Sequence, residues 1–190
     1  CPQGHEFACD DGIWRFAEDA YTEGFGLQWK QFRKTQLDSY SGTTITRDRL
    51  SNVLGSRLFA SLKGKHVLEC GCGSGRFTEI LLAQGARVTS IDMSSAVEAN
   101  AENFPQSRVH RVAQADILHL PFSPGQFDIV LCVGVIQHTP SPDHTVAALY
   151  SHVSTGGWLV ADHYTYNLSW YTKTAPIFRL VIQRKPPDQA

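Results

Sequence analysis

Leu68-Glu69-Cys70-Gly71-Cys72-Gly73-Ser74-Gly75-Arg76 decides the fold of this chain: an apolar stretch closes on an acid and three glycines at alternate positions, and a helix-like segment follows. His66-Val67-Leu68 is a short apolar entry suited to a buried parallel strand, while Phe77-Thr78-Glu79-Ile80-Leu81-Leu82 has the apolar spacing of a helix. Strand, glycine turn and helix in that order form a nucleotide-type ligand site. Glycine permits positive φ and places no Cβ between the backbone and a ligand. A tight strand-to-helix turn that binds nothing would use the same residues, so the rest of the chain has to separate the two readings.

The spacing narrows the ligand. Dinucleotide sites favour G-x-G-x-x-G with a pyrophosphate on the helix N-terminus, whereas this chain reads G-x-G-x-G after an acid, and a carboxylate suits no pyrophosphate. Glu69 suits a cationic amino group, and the turn suits an uncharged nucleoside; a nucleoside bearing an amino acid meets both demands. Ala86-Arg87-Val88-Thr89-Ser90-Ile91 reads as a second strand ending at Asp92, about twenty residues beyond the turn, where such folds place an acid for the ribose hydroxyls. Asp92 could instead cap the helix that begins near Ser94-Ser95-Ala96-Val97. Arg108-Val109-His110-Arg111-Val112 and Phe127-Asp128-Ile129-Val130-Leu131-Cys132-Val133 continue the alternation of strand and helix patterns.

Glu69-x-Gly71-x-Gly73-x-Gly75, Asp92, Ala115-Asp116 and Phe127-Asp128-Ile129-Val130, in that order, resemble the motifs of class I S-adenosylmethionine-dependent methyltransferases over residues 65–162. The resemblance implies an α/β fold, a Rossmann-like, doubly wound and mostly parallel sheet with strand order 3-2-1-4-5. It implies S-adenosyl-L-methionine as cofactor and gives each matching position a role. Glu69 would approach the methionine amino group, Gly71, Cys72, Gly73 and Gly75 would form the close wall, and Asp92 would hold the ribose. Met93 would pack on the adenine, Asp116 and Ile117 would frame its edge, and Cys132, Val133 and Gly134 would lie beneath the methionine portion.

Upstream, Phe25-Gly26-Leu27-Gln28-Trp29 resembles a bacterial subgroup with an F-G-x-Q-W extension, which implies a helical N-terminal cover closed by Gln28 and Trp29; Trp29, Phe32 and Leu37 also suit an ordinary helix packing face. Downstream of the fourth strand, Gly134-Val135-Ile136-Gln137-His138-Thr139-Pro140 carries His138, the candidate catalytic base, since a neutral imidazole can take a proton from an acceptor hydroxyl. Ordering of the loop by His138 is the alternative role. Asp162-His163-Tyr164 ends the expected fifth strand, Gly157–Ala161, and Tyr164 and Tyr166 suit either substrate contact or a packed lid.

These readings divide the chain into an N-terminal hairpin and helical cover (1–56), a cofactor domain (57–166) and a C-terminal lid or truncated segment (167–190). The family's sixth strand and antiparallel seventh have no counterpart here, so the chain is expected to be a fragment whose bare fifth strand invites self-association. With 190 residues, 42% hydrophobic, 18% charged and a formal charge of -1, the composition is that of an ordinary soluble enzyme. No basic stripe points to nucleic acid, and no apolar run approaches the ~20 residues that span a bilayer, so a small-molecule acceptor and a cytoplasmic location are expected. Cys1, His5 and Cys9 resemble half of a zinc ribbon without its full ligand set, and no metal is expected. The leading function is methyl transfer to a hydroxyl or amine of a sugar, a lipid-linked molecule or a secondary metabolite. A dinucleotide-dependent oxidoreductase and a noncatalytic cofactor-binding protein are the alternatives.

Overall fold

In the computed structural model, residues 6–17 and 31–162 are described. Seven strands, β1 (Ala8–Asp10), β2 (Ile13–Arg15), β3 (His66–Cys70), β4 (Arg87–Asp92), β5 (His110–Gln114), β6 (Phe127–Cys132) and β7 (Val153–Ala161), form one sheet in the order β1-β2-β5-β4-β3-β6-β7. All neighbours are parallel except β1 and β2. The run β5-β4-β3-β6-β7 reproduces the expected 3-2-1-4-5 order. The difference lies at its outer edge, where the N-terminal hairpin extends the sheet: Trp14 and Arg15 of β2 pair with Ala113 and Gln114 of β5. Arg15 fixes this join through its side chain, bonding Gln114 and Glu98 at 3.1 Å each.

Parallel strands buried on both faces need apolar residues at successive positions, and β3 and β6 supply them. Val67, Ile129 and Leu131 face a core closed by Leu50, Leu54, Phe59, Phe77 and Leu81, while Leu68, Val130 and Cys132 face a second core closed by Ile117, Ile136 and Leu149. The alternation follows from the two-residue period of a strand. Because Leu50 and Leu54 belong to the first core, that core continues across the expected boundary at 56–57.

The helices are α1 (Asp38–Ser41), α2 (Ile45–Leu54), α3 (Ser56–Ala60), α4 (Arg76–Ala83), α5 (Ala96–Asn103) and α6 (Pro142–Ser151). Two carboxylates lock α1 and α2 in place. Glu79 of α4 accepts from the backbone N–H groups of Asp38 and Ser39 at 2.8 and 3.2 Å, and Asp38 accepts from those of Thr46 and Arg47 at 2.9 Å each. Donors at a helix N-terminus lack intrahelical partners, so these acceptors supply what the short helices cannot. The consequence is a fixed position for α2 beside the C-terminal ends of β3 and β6.

Candidate functional site

A cavity of about 1080 Å³ opens at the C-terminal ends of β3, β4, β5 and β6. Open α/β sheets bind ligands at this place, where the strand order reverses on either side of the first strand. Its volume lies at the upper end of the roughly 300–1,000 Å³ of ordinary small-molecule pockets. The wall includes Gly71, Cys72 and Gly73 after β3, Asp92 and Met93 after β4, Asp116 and Ile117 after β5, and Val133, Gly134 and His138 after β6. Ten of the expected positions therefore converge from four separate loops.

Asp92 is the best placed of them. Its Oδ2 accepts from the Gly73 N–H at 2.9 Å, and its Oδ1 accepts from the Ser94 N–H and hydroxyl at 2.9 and 2.7 Å. The carboxylate thus orders the glycine turn and its own following turn, while Oδ2 keeps capacity for a ligand hydroxyl. Ser95, not Asp92, stands at the N-cap of α5. Asp116 has a comparable structural task, accepting from the Leu118 N–H at 2.9 Å and pairing with His119 at 2.8 Å.

Glu69, Gly75 and Cys132 do not reach the cavity. Glu69 is 2% exposed, and its Oε2 accepts from Thr78 and Ser90 hydroxyls at 2.5 and 2.9 Å, while Oε1 has no partner. Burial pushes its pKa up to about 7, against smaller opposing effects of the two hydroxyls. The polar chain continues inward: Ser90 Oγ lies 3.3 Å from His110 Nε2, and His110 Nδ1 donates to the Phe104 carbonyl at 2.9 Å. Glu69 consequently belongs to a sealed network behind the turn, because a strand residue on that face points into the packed interior. Cys132 is fully buried, and desolvation pushes its thiol up to about 12.

Two of the glycines also answer a packing constraint. Gly71 has φ +75°, and a Cβ there would sit 2.2 Å from Val135 Cγ2; Gly75 has φ +101°, and its Cβ would meet the Phe104 ring at 2.6 Å. Neither position tolerates a side chain, since each combines a left-handed backbone with a neighbour already in contact. Cys72 lines the cavity as a buried thiol whose pKa is raised well above the ordinary cysteine value by desolvation. Gln28 and Trp29, along with Cys1, His5, His163, Tyr164, Tyr166 and the segment 167–190, lie outside the described residues. Among the described residues no group of three or more His, Cys, Asp or Glu side chains could hold a metal, and no helix is long and apolar enough to cross a membrane.

Several wall residues had not been singled out from the chain. Arg49 of α2 enters the wall and donates to Asp162 Oδ2 at 3.1 Å, with its guanidinium 5.9 Å from the Phe77 ring centroid. Asp162 Oδ1 also accepts from the Gly134 N–H, so one carboxylate ties the end of β7 to the turn after β6 and to α2. Arg76 lines the same cavity, with its guanidinium 5.3 Å from the centroid of the same Phe77 ring. A salt bridge between residues 113 apart leaves no local pattern, so only the folded chain reveals it.

Residues 68–161 match the family described as Methyltransferase domain. Ubiquinone biosynthesis O-methyltransferase of Coxiella burnetii is 33% identical over 116 residues, 60% of this chain and 50% of that protein. The protein of the same name from Pseudomonas putida is 38% identical over 101 residues, 52% of this chain and 44% of that one. The chain thus spans about half the length of the curated relatives it matches. Among solved structures, a Methanococcus maripaludis protein assigned provisionally to the S-adenosyl-L-methionine-dependent methyltransferases superposes with a TM-score of 0.60 at 11% identity, covering 87% of this chain and 75% of that one. MccD protein gives 0.57 at 20% identity, covering 77% and 65%. At these identities the structural likeness concerns the fold.

Proposed function

We propose, from the premise that residues 68–161 are an S-adenosyl-L-methionine-dependent methyltransferase domain, that the chain methylates a hydroxyl or amine of a small molecule. The observation that carries this reading is the cavity itself: carboxylates on the β4 and β5 side, two arginines beside the glycine turn, and an imidazole on the β6 side. Bound there, the cofactor supplies a methyl group on a sulfonium sulfur; the acceptor atom bonds to that carbon while the C–S bond breaks and its electron pair stays on sulfur.

In this reading Asp92 accepts a ribose hydroxyl through Oδ2 while keeping the turn in place through Gly73. Met93 and Ile117 provide apolar contact for the adenine, and Asp116 holds the turn that carries Ile117. Arg49 and Arg76 are the cations in the wall, and they face the cofactor's carboxylate, a role for which fixed guanidinium donors are suited. Glu69 shapes the turn from behind. His138 takes the acceptor's proton, and Val133 and Gly134 would lie beneath the methionine portion of the cofactor. Gln28 and Trp29 close the N-terminal cover and exclude water, which strengthens every polar interaction inside. The division into an N-terminal hairpin and helical cover (1–56), a cofactor domain (57–166) and a C-terminal lid or truncated segment (167–190) is part of the same proposal.

Among the described residues β7 pairs on one side only, with β6, and Trp158 on it is 58% exposed; we propose this strand as the surface for self-association, which light scattering across a concentration series tests, a monomer at every concentration counting against it. The thiols Cys70, Cys72 and Cys132 are free, suiting a reducing compartment, and we place the chain in the cytoplasm. Calorimetry with S-adenosylmethionine, S-adenosylhomocysteine and NAD tests the cofactor assignment: binding of the first two and not of NAD is expected, and a preference for NAD overturns it. A mass-spectrometric product screen then tests turnover, with His138→Ala lowering kcat at least a hundredfold if the imidazole moves the proton.

A further inference from the structure

The N-terminal hairpin reaches the cavity wall through one buried side chain. Gln114, the last residue of β5, is 5% exposed, and both polar atoms of its amide are engaged. Its Oε1 accepts from Arg15 Nη1 at 3.1 Å, and its Nε2 donates to the Met93 carbonyl at 2.9 Å. An arginine only donates and a carbonyl only accepts, so the amide can stand one way round between them. Arg15 is fixed in turn: Nη2 donates to Glu98 Oε1 at 3.1 Å, and Nε lies 3.7 Å from Asp10 Oδ2. A line of bonds therefore runs from β2, near the edge of the sheet, to Met93 in the cavity wall.

At Met93 the sheet itself no longer supplies support. The ladder between β4 and β5 closes with the Ala115 N–H donating to the Asp92 carbonyl at 3.0 Å, and the next carbonyl along the chain is the one that Gln114 takes up. On the other side of Met93, the Asp92 carboxylate holds the Ser94 N–H and hydroxyl. Asp92, Met93 and Ser94 all line the cavity. A wall ordered before its ligand arrives spares the binding step the cost of ordering it.

We propose that Arg15, acting through Gln114, is a positioning residue for the cofactor: it sets the Met93 peptide against which the adenosine half lies. The inference rests on the methyl-transfer reading and adds the N-terminal hairpin to its cofactor site. The competing role is a staple that joins hairpin to sheet and nothing more, and Gln114→Glu separates the two. A carboxylate keeps an acceptor for Arg15, now as an ion pair, but offers no donor to the Met93 carbonyl and turns an oxygen toward it. The staple survives and the hold on Met93 is lost.

The test is calorimetry of S-adenosylhomocysteine and of adenosine with the wild type, Gln114→Glu, Arg15→Leu and Arg15→Lys, folding being checked by circular dichroism. Hydrogen exchange of the Ser94 amide in the free chain, followed by NMR, accompanies it, because Ser94 is 1% exposed and exchanges quickly only when its turn is released. Both ligands should bind about fivefold more weakly to Gln114→Glu and about threefold more weakly to Arg15→Leu, with faster Ser94 exchange in each. Arg15→Lys should stay within about twofold of the wild type, since an ammonium still donates to Oε1. A folded Gln114→Glu that binds both ligands as the wild type does, or that leaves Ser94 exchange unchanged, overturns the inference. Should Gln114→Glu not fold, the Arg15 variants decide, equal affinities in Arg15→Leu and Arg15→Lys overturning it. If the wild type binds neither ligand, the methyl-transfer reading fails instead, and Ser94 exchange still tests the hold on Met93.

Discussion

Replacing Glu69 with Gln should remove a pH dependence from the stability of this chain. The carboxyl is completely buried, with its pKa raised from 4.5 to about 7, chiefly by desolvation. Between those two pH values the folded chain holds a proton that the unfolded chain has released, so this group's contribution to stability is fully present below pH 4.5 and is lost as pH rises through about 7. At about 1.4 kcal/mol per pH unit, the whole window corresponds to about 3 kcal/mol. Glutamine keeps an oxygen for the Thr78 and Ser90 hydroxyls and places an NH₂ where Oε1 has no partner, which costs about 1–3 kcal/mol at every pH. The informative quantity is the difference between variant and wild type. His66 and His110, whose pKa values are lowered by burial, add their own pH dependence in the opposite direction, and the difference removes what is common to both chains. Urea denaturation from pH 5 to pH 8 should show that difference moving by about 2.5 kcal/mol in favour of Glu69→Gln. A difference that stays constant within about 0.5 kcal/mol would refute the claim that burial raises the Glu69 pKa to about 7.

Gly75→Ala should destabilise by about 3 kcal/mol in thermal or chemical unfolding, since the added Cβ meets the Phe104 ring at 2.6 Å in a left-handed backbone; a loss below about 1 kcal/mol would show that Phe104 yields. Asp38→Ala leaves the N–H groups of Thr46 and Arg47 without their acceptor and should cost about 1 kcal/mol, again by urea denaturation, with an unchanged midpoint counting against the capping role. Asp92→Ala should weaken S-adenosylmethionine binding at least tenfold in calorimetry, through the lost ribose contact and the released Gly73. Wild-type affinity in that variant would place the ribose elsewhere.

The order of elements could be read from the chain because it depends on short-range chemistry. Alternating apolar runs in parallel strands, glycines at a forced turn and an acid after the second strand are local features, and they located β3 to β7 and part of the cavity wall. An N-terminal hairpin was expected within residues 1–56, yet its attachment to β5 was not legible, because pairing across nearly a hundred residues leaves no mark in either segment. Glu69 shows a different limit. An acid before a glycine turn carries the same sequence signature whether it faces a ligand or the interior, and the direction follows only from which face of β3 the neighbouring layers cover. Gly71 and Gly75 likewise announced themselves as small, and only packing against Val135 and Phe104 told why.

By itself, then, the sequence determined the class of fold, the succession of strands and the set of loops that meet at one end of the sheet, since periodicity and turn chemistry act within a few residues. Tertiary structure alone decided which of those loop residues line the cavity, that Arg49, Asp162 and Gly134 form one linkage, and that Gln137 is left with an unpaired amide. Each of these depends on contacts between distant segments, where burial and hydrogen bonding are properties of the assembled layers and not of any stretch of chain.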